Sequence, residues 1–322
     1  MMLNSIKLLF YTTMIIGIMV CICSNNWMMM WSGLEISLMS FLPLMISMNL
    51  LSSECMMKYF IIQSLSSSIL LLGMMLILMN KSSNFIMLIS LMLKIGMSPF
   101  HNWVLNVIEG LSFKSIFFLL TFMKISPMMV MSYLSKMLWM PVLLSLIVGA
   151  IMGINQNSLR KILGYSSIFN IGFSCSCINE MSLWLMYMLV YSFMLICMII
   201  MINKLNIFYI NQIMINEFNL KTKISFWLMM MSFGGIPPML GFLSKLMLFE
   251  FMILNNQVFL LMIMLLTSLI VMFYYIRMTY LSIMFSSMMM KWNFMSINNS
   301  FMVISLINSF MLFMVVFIKS LI

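Results

Sequence analysis

Charge is missing from most of this chain, in long blocks. Residues 8–34 hold no charged side chain, nor do 59–80, 137–159, 162–179, 181–203, 224–244, 251–276 and 292–318. Most of these blocks match the ~20 residues that carry a helix across a hydrocarbon core. Soluble domains have about a quarter of their residues charged. Here 7% are charged, 64% are hydrophobic and the mean hydropathy is +1.16, so a water-soluble globule is excluded. Adding stretches that carry one charge predicts an all-α, polytopic membrane protein of about eleven helices: 3–23, 27–48, 57–79, 84–105, 113–134, 138–155, 163–178, 181–203, 224–250, 256–285 and 300–320. Little of the 322 residues remains for an extramembrane domain.

The placement of basic residues supports that count, because loops on one side of a membrane collect Lys and Arg. With alternate loops assigned to alternate sides, one side receives Lys7, Lys58, Lys114, Arg160, Lys161, Lys204, Lys221, Lys223 and Lys291. The other receives Lys81, Lys136 and Lys319. An odd number of spans then puts the N-terminus on the positive, matrix-like side. The net charge of +10 is spread along the chain with no basic run, so nucleic acid is not an expected partner. The chain has 50 Met and a single Ala, Ala150. AT-rich coding with ATA read as Met produces that ratio, which points to an organellar, mitochondrial gene. Met for Leu nearly conserves volume, so the packing tolerates it.

Metal and haem chemistry find few ligands. His101 is the only histidine, which excludes paired axial ligands and His-rich copper or zinc centres. The Cys21/Cys23 and Cys175/Cys177 pairs lie in or beside apolar stretches without a nearby His or acid, and read as small thiols in the packing. No metal site is expected, and no cleavable leader is evident in Met1–Val20.

Four titratable residues fall inside apolar stretches: Glu35, Lys94, Lys124 and Lys245. A charge at mid-membrane costs at least ~2.5 kcal/mol, so such groups face protein or water, pair, or lose the charge. One buried ion pair uses Glu35 and one lysine and leaves two lysines over. Lysine can release its proton where arginine cannot. Three lysines with one carboxylate therefore favour a proton or ion pathway over static charge. The backbone carries a second signal. Lys94-Ile-Gly96-Met-Ser98-Pro99 and Gly234-Gly235-Ile-Pro237-Pro238 each interrupt a span, and freed carbonyls at membrane depth need protein or a wet cavity. The interruptions fall in the fourth and ninth spans, the fourth of each five. Broken helices at matching places in two halves mark a transport site. Lys94 precedes its break and Lys245 follows its own, the order that two inverted repeats produce.

At these residues the chain resembles a known family. NNWMMMWSGLEISLMSFLPLM, SSECMMKYFIIQSLSSSILLL, LKIGMSPFHNWVLNVIEGL, LLTFMKISPMM, NQNSLRKILGYSSIFNIGF and GGIPPMLGFLSKLMLF run in order from about residue 25 to 250. Together they are similar to the antiporter-like membrane subunits of respiratory complex I, in the arthropod-like, Met-rich form of the mitochondrial NADH dehydrogenase subunit 2 family. The resemblance implies two inverted five-helix repeats, 1–137 and 138–285, and a C-terminal transmembrane helix within 286–322. It implies proton pumping coupled to electron flow from NADH to ubiquinone in the mitochondrial inner membrane. In the family's pattern Glu35 and Lys94 form the switch pair, Lys124 is the middle relay and Lys245 the outlet-side group. His101, just past the first break, is an accessory candidate for carrying protons or holding water; a hydrogen bond to a neighbouring helix is the alternative. The resemblance implies no cofactor in this chain, with FMN, iron–sulfur clusters and ubiquinone held elsewhere in the complex. The implied partners are other membrane-arm subunits, neighbouring antiporter-like subunits among them, and lipids such as cardiolipin. Two competing functions stay open at this point: a stand-alone cation/proton antiporter of the same fold, and an assembly scaffold whose buried charges fix helix register.

Overall fold

The computed structural model describes residues 2–47, 49–79, 83–215, 220–237 and 239–284. Over these residues the secondary structure is helical, with one isolated antiparallel bridge between Ser158 and Tyr209. The chain divides into two compact units, Met1–Ser145 and Leu146–Ile322. Among the described residues six helical stretches are long and apolar enough to cross a membrane. Large apolar side chains stand outward on them, such as Leu8 at 65%, Leu65 at 56% and Leu266 at 63% exposure. A surface of that kind suits lipid or a partner chain, since water would penalise every such side chain.

In the first unit, α1 (Met2–Cys23), α2 (Trp27–Met45) and α3 (Leu50–Leu78) are continuous. The fourth predicted span is two helices, α4 (Asn84–Ile95) and α5 (Asn102–Gly110). The fifth is α6 (Phe113–Leu120) and α7 (Phe122–Ser132), interrupted at Thr121. Small residues bring α1 and α2 into backbone contact: a β-carbon on Gly17 would lie 2.7 Å from the Ser37 amide nitrogen, and one on Gly33 would lie 2.7 Å from that of Cys21. This is how membrane helices associate without a hydrophobic drive, and it fixes the helix that carries Glu35.

The second unit contains most of α8 (Trp139–Ile154), then α9 (Leu159–Ser176) and α10 (Met181–Leu205). A short α11 (Ile210–Ile215) follows. The broken pair α12 (Leu220–Gly234) and α13 (Leu240–Leu254) leads to α14 (Val258–Met284). The link before α9 pairs with the link before α11: the Leu159 N–H donates to the Phe208 carbonyl at 2.9 Å and the Ile210 N–H to that of Asn157 at 3.0 Å. The expected helix 300–320 lies outside the described residues, as do Lys81, Glu217, Pro238, Lys291 and Lys319.

Candidate functional site

Both long breaks are built by the same cap. Helix α4 ends on Gly96 at φ +76°, and the N–H groups of Gly96 and Met97 both donate to the Met92 carbonyl. Helix α12 ends the same way, with Gly235 at φ +79° and the N–H groups of Gly235 and Ile236 on the Met231 carbonyl. Glycine adopts this left-handed conformation without the penalty a β-carbon brings. Each cap leaves carbonyls at the helix end that need other donors. At the first break Trp103 Nε1 donates to the Leu93 carbonyl at 3.0 Å, and Gln63 Nε2, from α3, donates to the Lys94 carbonyl at 3.1 Å. At the second, the Gly234 carbonyl accepts from Lys245 Nζ itself, at 2.9 Å.

The first unit brings three of the expected residues together. Lys94 Nζ lies 3.6 Å from Glu35 Oε1, an ion pair whose lysine side chain is 3% exposed and whose glutamate side chain is 22% exposed. Glu35 therefore keeps contact with the outside of this chain while Lys94 is sealed. Lys124, in the first turn of α7, is buried. A cavity of about 20 Å³ joins the two lysines, with Ser37, Tyr59, Gln63, Met123 and Ser126 also in its wall. That volume holds about one water molecule, and the wall offers it polar partners. Pro127 lacks the N–H that would bond the Met123 carbonyl, so the helix turn beside Lys124 carries a freed acceptor. Most buried serines bond back to their own helix, as Ser37 does to Leu34 and Ser66 to Gln63. Ser126 is different: its buried hydroxyl makes no hydrogen bond and lies in the cavity wall.

The second unit holds Lys245 on α13. It is buried, bound to the Gly234 carbonyl, with Nζ 5.6 Å above the centre of the Phe169 ring. A β-carbon on Gly235 would lie 2.8 Å from Nζ, so glycine there also makes room for the ammonium.

His101 lies in the link between α4 and α5, with Nδ1 3.2 Å from the Pro99 carbonyl oxygen in its own turn. It is not part of the cavity wall that joins Lys94 and Lys124. Of the cysteines, Cys21, Cys55, Cys175, Cys177 and Cys197 are buried, but Cys23 is exposed at the end of α1. Sequence reasoning missed Gln63 and Trp103, which are neutral and sit in ordinary helical stretches. It also placed Lys223 in a loop; Lys223 is instead a buried residue of α12.

Comparison with known proteins decides the family. The description "NADH:quinone oxidoreductase/Mrp antiporter, TM" matches residues 24–271. The chain belongs to this family. Among family members, NADH-ubiquinone oxidoreductase chain 2 of Anopheles gambiae is 37% identical over 94% of this chain and 93% of its own length. The same protein of Locusta migratoria is 38% identical over 87% of this chain and 86% of its own. A chain of respiratory complex I from Thermus thermophilus superposes with a TM-score of 0.80 at 18% identity, covering 95% of this chain and 78% of that one. The antiporter-like helical fold of this family is thus the fold of the chain, and the relatives above are complex I subunits by name.

Proposed function

We propose that this chain is a proton-translocating core membrane subunit of respiratory complex I, which couples NADH:ubiquinone electron transfer to proton pumping through a mid-membrane Glu/Lys relay. The observation that carries the reading is the water-sized cavity shared by Lys94 and Lys124, with Glu35 paired to Lys94 at its margin. In the proposed step, Glu35 holds the ammonium form of Lys94 by charge. When Glu35 is drawn off by a neighbouring subunit, which its partial exposure permits, Lys94 gives its proton through the cavity water to Lys124. Lys245 is the outlet-side group. His101 is an accessory at the first break. The chain itself carries no redox centre; NADH, FMN, iron–sulfur clusters and ubiquinone act elsewhere in the complex.

The proposed topology is eleven spans: repeats 1–137 and 138–285, inverted because each crosses an odd number of times, and a final helix in 286–322. The N-terminus lies on the matrix side of the mitochondrial inner membrane. Membrane-arm subunits, antiporter-like neighbours among them, and lipids such as cardiolipin complete the surroundings. Replacing Lys124 by Met should cut proton pumping while leaving the assembled complex present. Normal pumping by that variant would overturn the relay. The alternative, a stand-alone cation/proton antiporter, draws on the antiporter half of the family description. Co-purification with redox subunits separates the two.

A further inference from the structure

The two lysines beside the long breaks are held by different means. Lys94 has Glu35 at 3.6 Å. Lys245 makes no ion pair among the described residues, although it is only 5% exposed. A buried ammonium in a membrane is costly unless something answers its charge. The ammonium of Lys245 meets the Gly234 carbonyl at 2.9 Å and the face of the Phe169 ring, whose centroid lies 5.6 Å away. The face of an aromatic ring carries the negative part of its quadrupole and attracts a cation at this range.

The ring is fixed in place by its own packing. Phe169 and Phe173 are four residues apart on α9, and Lys245 and Phe249 are four apart on α13, so each pair shares a helix face. The two faces meet in register: Lys245 lies over Phe169, and Phe249 meets Phe173 edge to face, with centroids 5.9 Å apart at 64°. The Phe169 and Phe173 centroids are 4.7 Å apart, and Phe173 stacks on Tyr187 of α10 at 6.1 Å and 14°. Helix α8 closes on the same residue at backbone distance: a β-carbon on Gly149 would lie 2.7 Å from the Phe169 amide nitrogen and 2.9 Å from its Cβ. Phe169 is accordingly 0% exposed. The backbone crowds the ammonium as well, since a β-carbon on Gly235 would lie 2.8 Å from Nζ. Neither the ring nor the ammonium has room to withdraw from the other.

We propose that Phe169 is a positioning residue for Lys245: its ring face stands where Lys94 has Glu35, and holds the ammonium form against the Gly234 carbonyl. The inference rests on the reading of Lys245 as a relay group and adds what keeps the charge at that place. A carboxylate holds an ammonium more strongly, but it carries a charge of its own and can take the proton. A phenyl ring does neither, and its attraction for a cation strengthens where water is excluded. When the proton leaves Nζ, the bonding pair stays on nitrogen, the amine is neutral, and the attraction to the ring is lost. The two centres therefore differ in how they are controlled. Glu35 is 22% exposed, so the hold on Lys94 can be changed from outside the chain. Phe169 is sealed, so the hold on Lys245 is set by the packing of α8, α9 and α13.

The test compares Phe169→Leu, Phe169→Tyr and Lys245→Met in the assembled complex. The readout is protons pumped per NADH oxidised in sealed vesicles, followed from neutral to alkaline pH. Leucine removes the ring face and keeps an apolar side chain; tyrosine keeps the face. Without the ring the charged form of Lys245 loses a partner, so pumping by Phe169→Leu should fall off at a pH lower than in the wild type by about one unit, the tenfold effect of a desolvated cation–π contact. Phe169→Tyr should keep the wild-type profile. The inference fails, and the relay stands, if Lys245→Met abolishes pumping while Phe169→Leu keeps the wild-type profile, loses pumping uniformly across pH, or is matched in its shift by Phe169→Tyr. If Lys245→Met pumps normally, the relay reading of that lysine fails and takes the inference with it. Should Phe169→Leu not assemble, a map of the unaltered complex decides. Nζ within about 6 Å of the ring face, with no carboxylate in contact, supports the assignment; an acidic side chain from any subunit within about 4 Å of Nζ overturns it.

Discussion

Removing the side-chain donors at the first break should loosen that break without touching a charge. The Leu93 and Lys94 carbonyls end α4 and accept from Trp103 Nε1 and Gln63 Nε2, at 3.0 and 3.1 Å. Gln63 is 5% exposed, so water does not readily replace it. Changing Gln63 to Leu keeps the volume and leaves the Lys94 carbonyl unpaired, at a cost of about 1–3 kcal/mol. That corresponds to roughly 5- to 150-fold more frequent opening of the segment. Changing Trp103 to Phe removes the other donor and keeps an aromatic ring. The two carbonyls are adjacent, so the double variant should depart from additivity by at least about 0.5 kcal/mol. Amide hydrogen exchange of residues 96–103 in the assembled complex reads the opening directly. Pumping in Gln63→Leu should fall while NADH oxidation persists, because Gln63 also forms part of the cavity wall. Unchanged exchange in both single variants would refute the claim that these donors hold the break.

Three further outcomes follow from particular contacts. Gly235→Ala places a β-carbon 2.8 Å from Lys245 Nζ at a backbone φ of +79°; the left-handed conformation alone costs about 1–2 kcal/mol, and pumping should be lost, with retention of wild-type pumping counting against the second centre. Gly33→Val drives a side chain into the α1 backbone at 2.7 Å, so native gels should show the membrane arm without this subunit, and normal assembly would contradict the close packing. Glu54→Gln breaks the exposed 2.6 Å pair with Lys58, four residues apart on α3. Such pairs contribute little, so pumping should match wild type, whereas Glu35→Gln, at the buried Lys94, should reduce it.

The all-helical character, and the six described stretches long and apolar enough to cross a membrane, were legible because lipid leaves so few options: long uncharged runs read as helices. The two long breaks were legible because Gly and Pro announce them. What escaped had no such marker. Helix α3 starts at Leu50, well before the expected 57, because Glu54 and Lys58 read as loop charges while in the fold they pair along one helix face. The interruption at Thr121 lacks glycine; there the threonine hydroxyl takes the Phe117 carbonyl at 2.7 Å, and Pro127 weakens the next turn. Glu35, Lys94, Lys124 and Lys245 stood out because charge is rare. Gln63, Ser126 and Phe169 did not, since neutral residues in an apolar helix ordinarily bond to their own backbone or pack as rings. Only the fold shows which of them face a shared cavity or a buried ammonium.

The most direct measurement is a map of the assembled complex that resolves water at the centre of the membrane arm. A water in hydrogen-bond contact with Lys94 and Lys124, or linking them through Ser126, is the predicted result. A dry seal of Leu38, Leu119 and Met123 between the two ammonium groups would contradict the account.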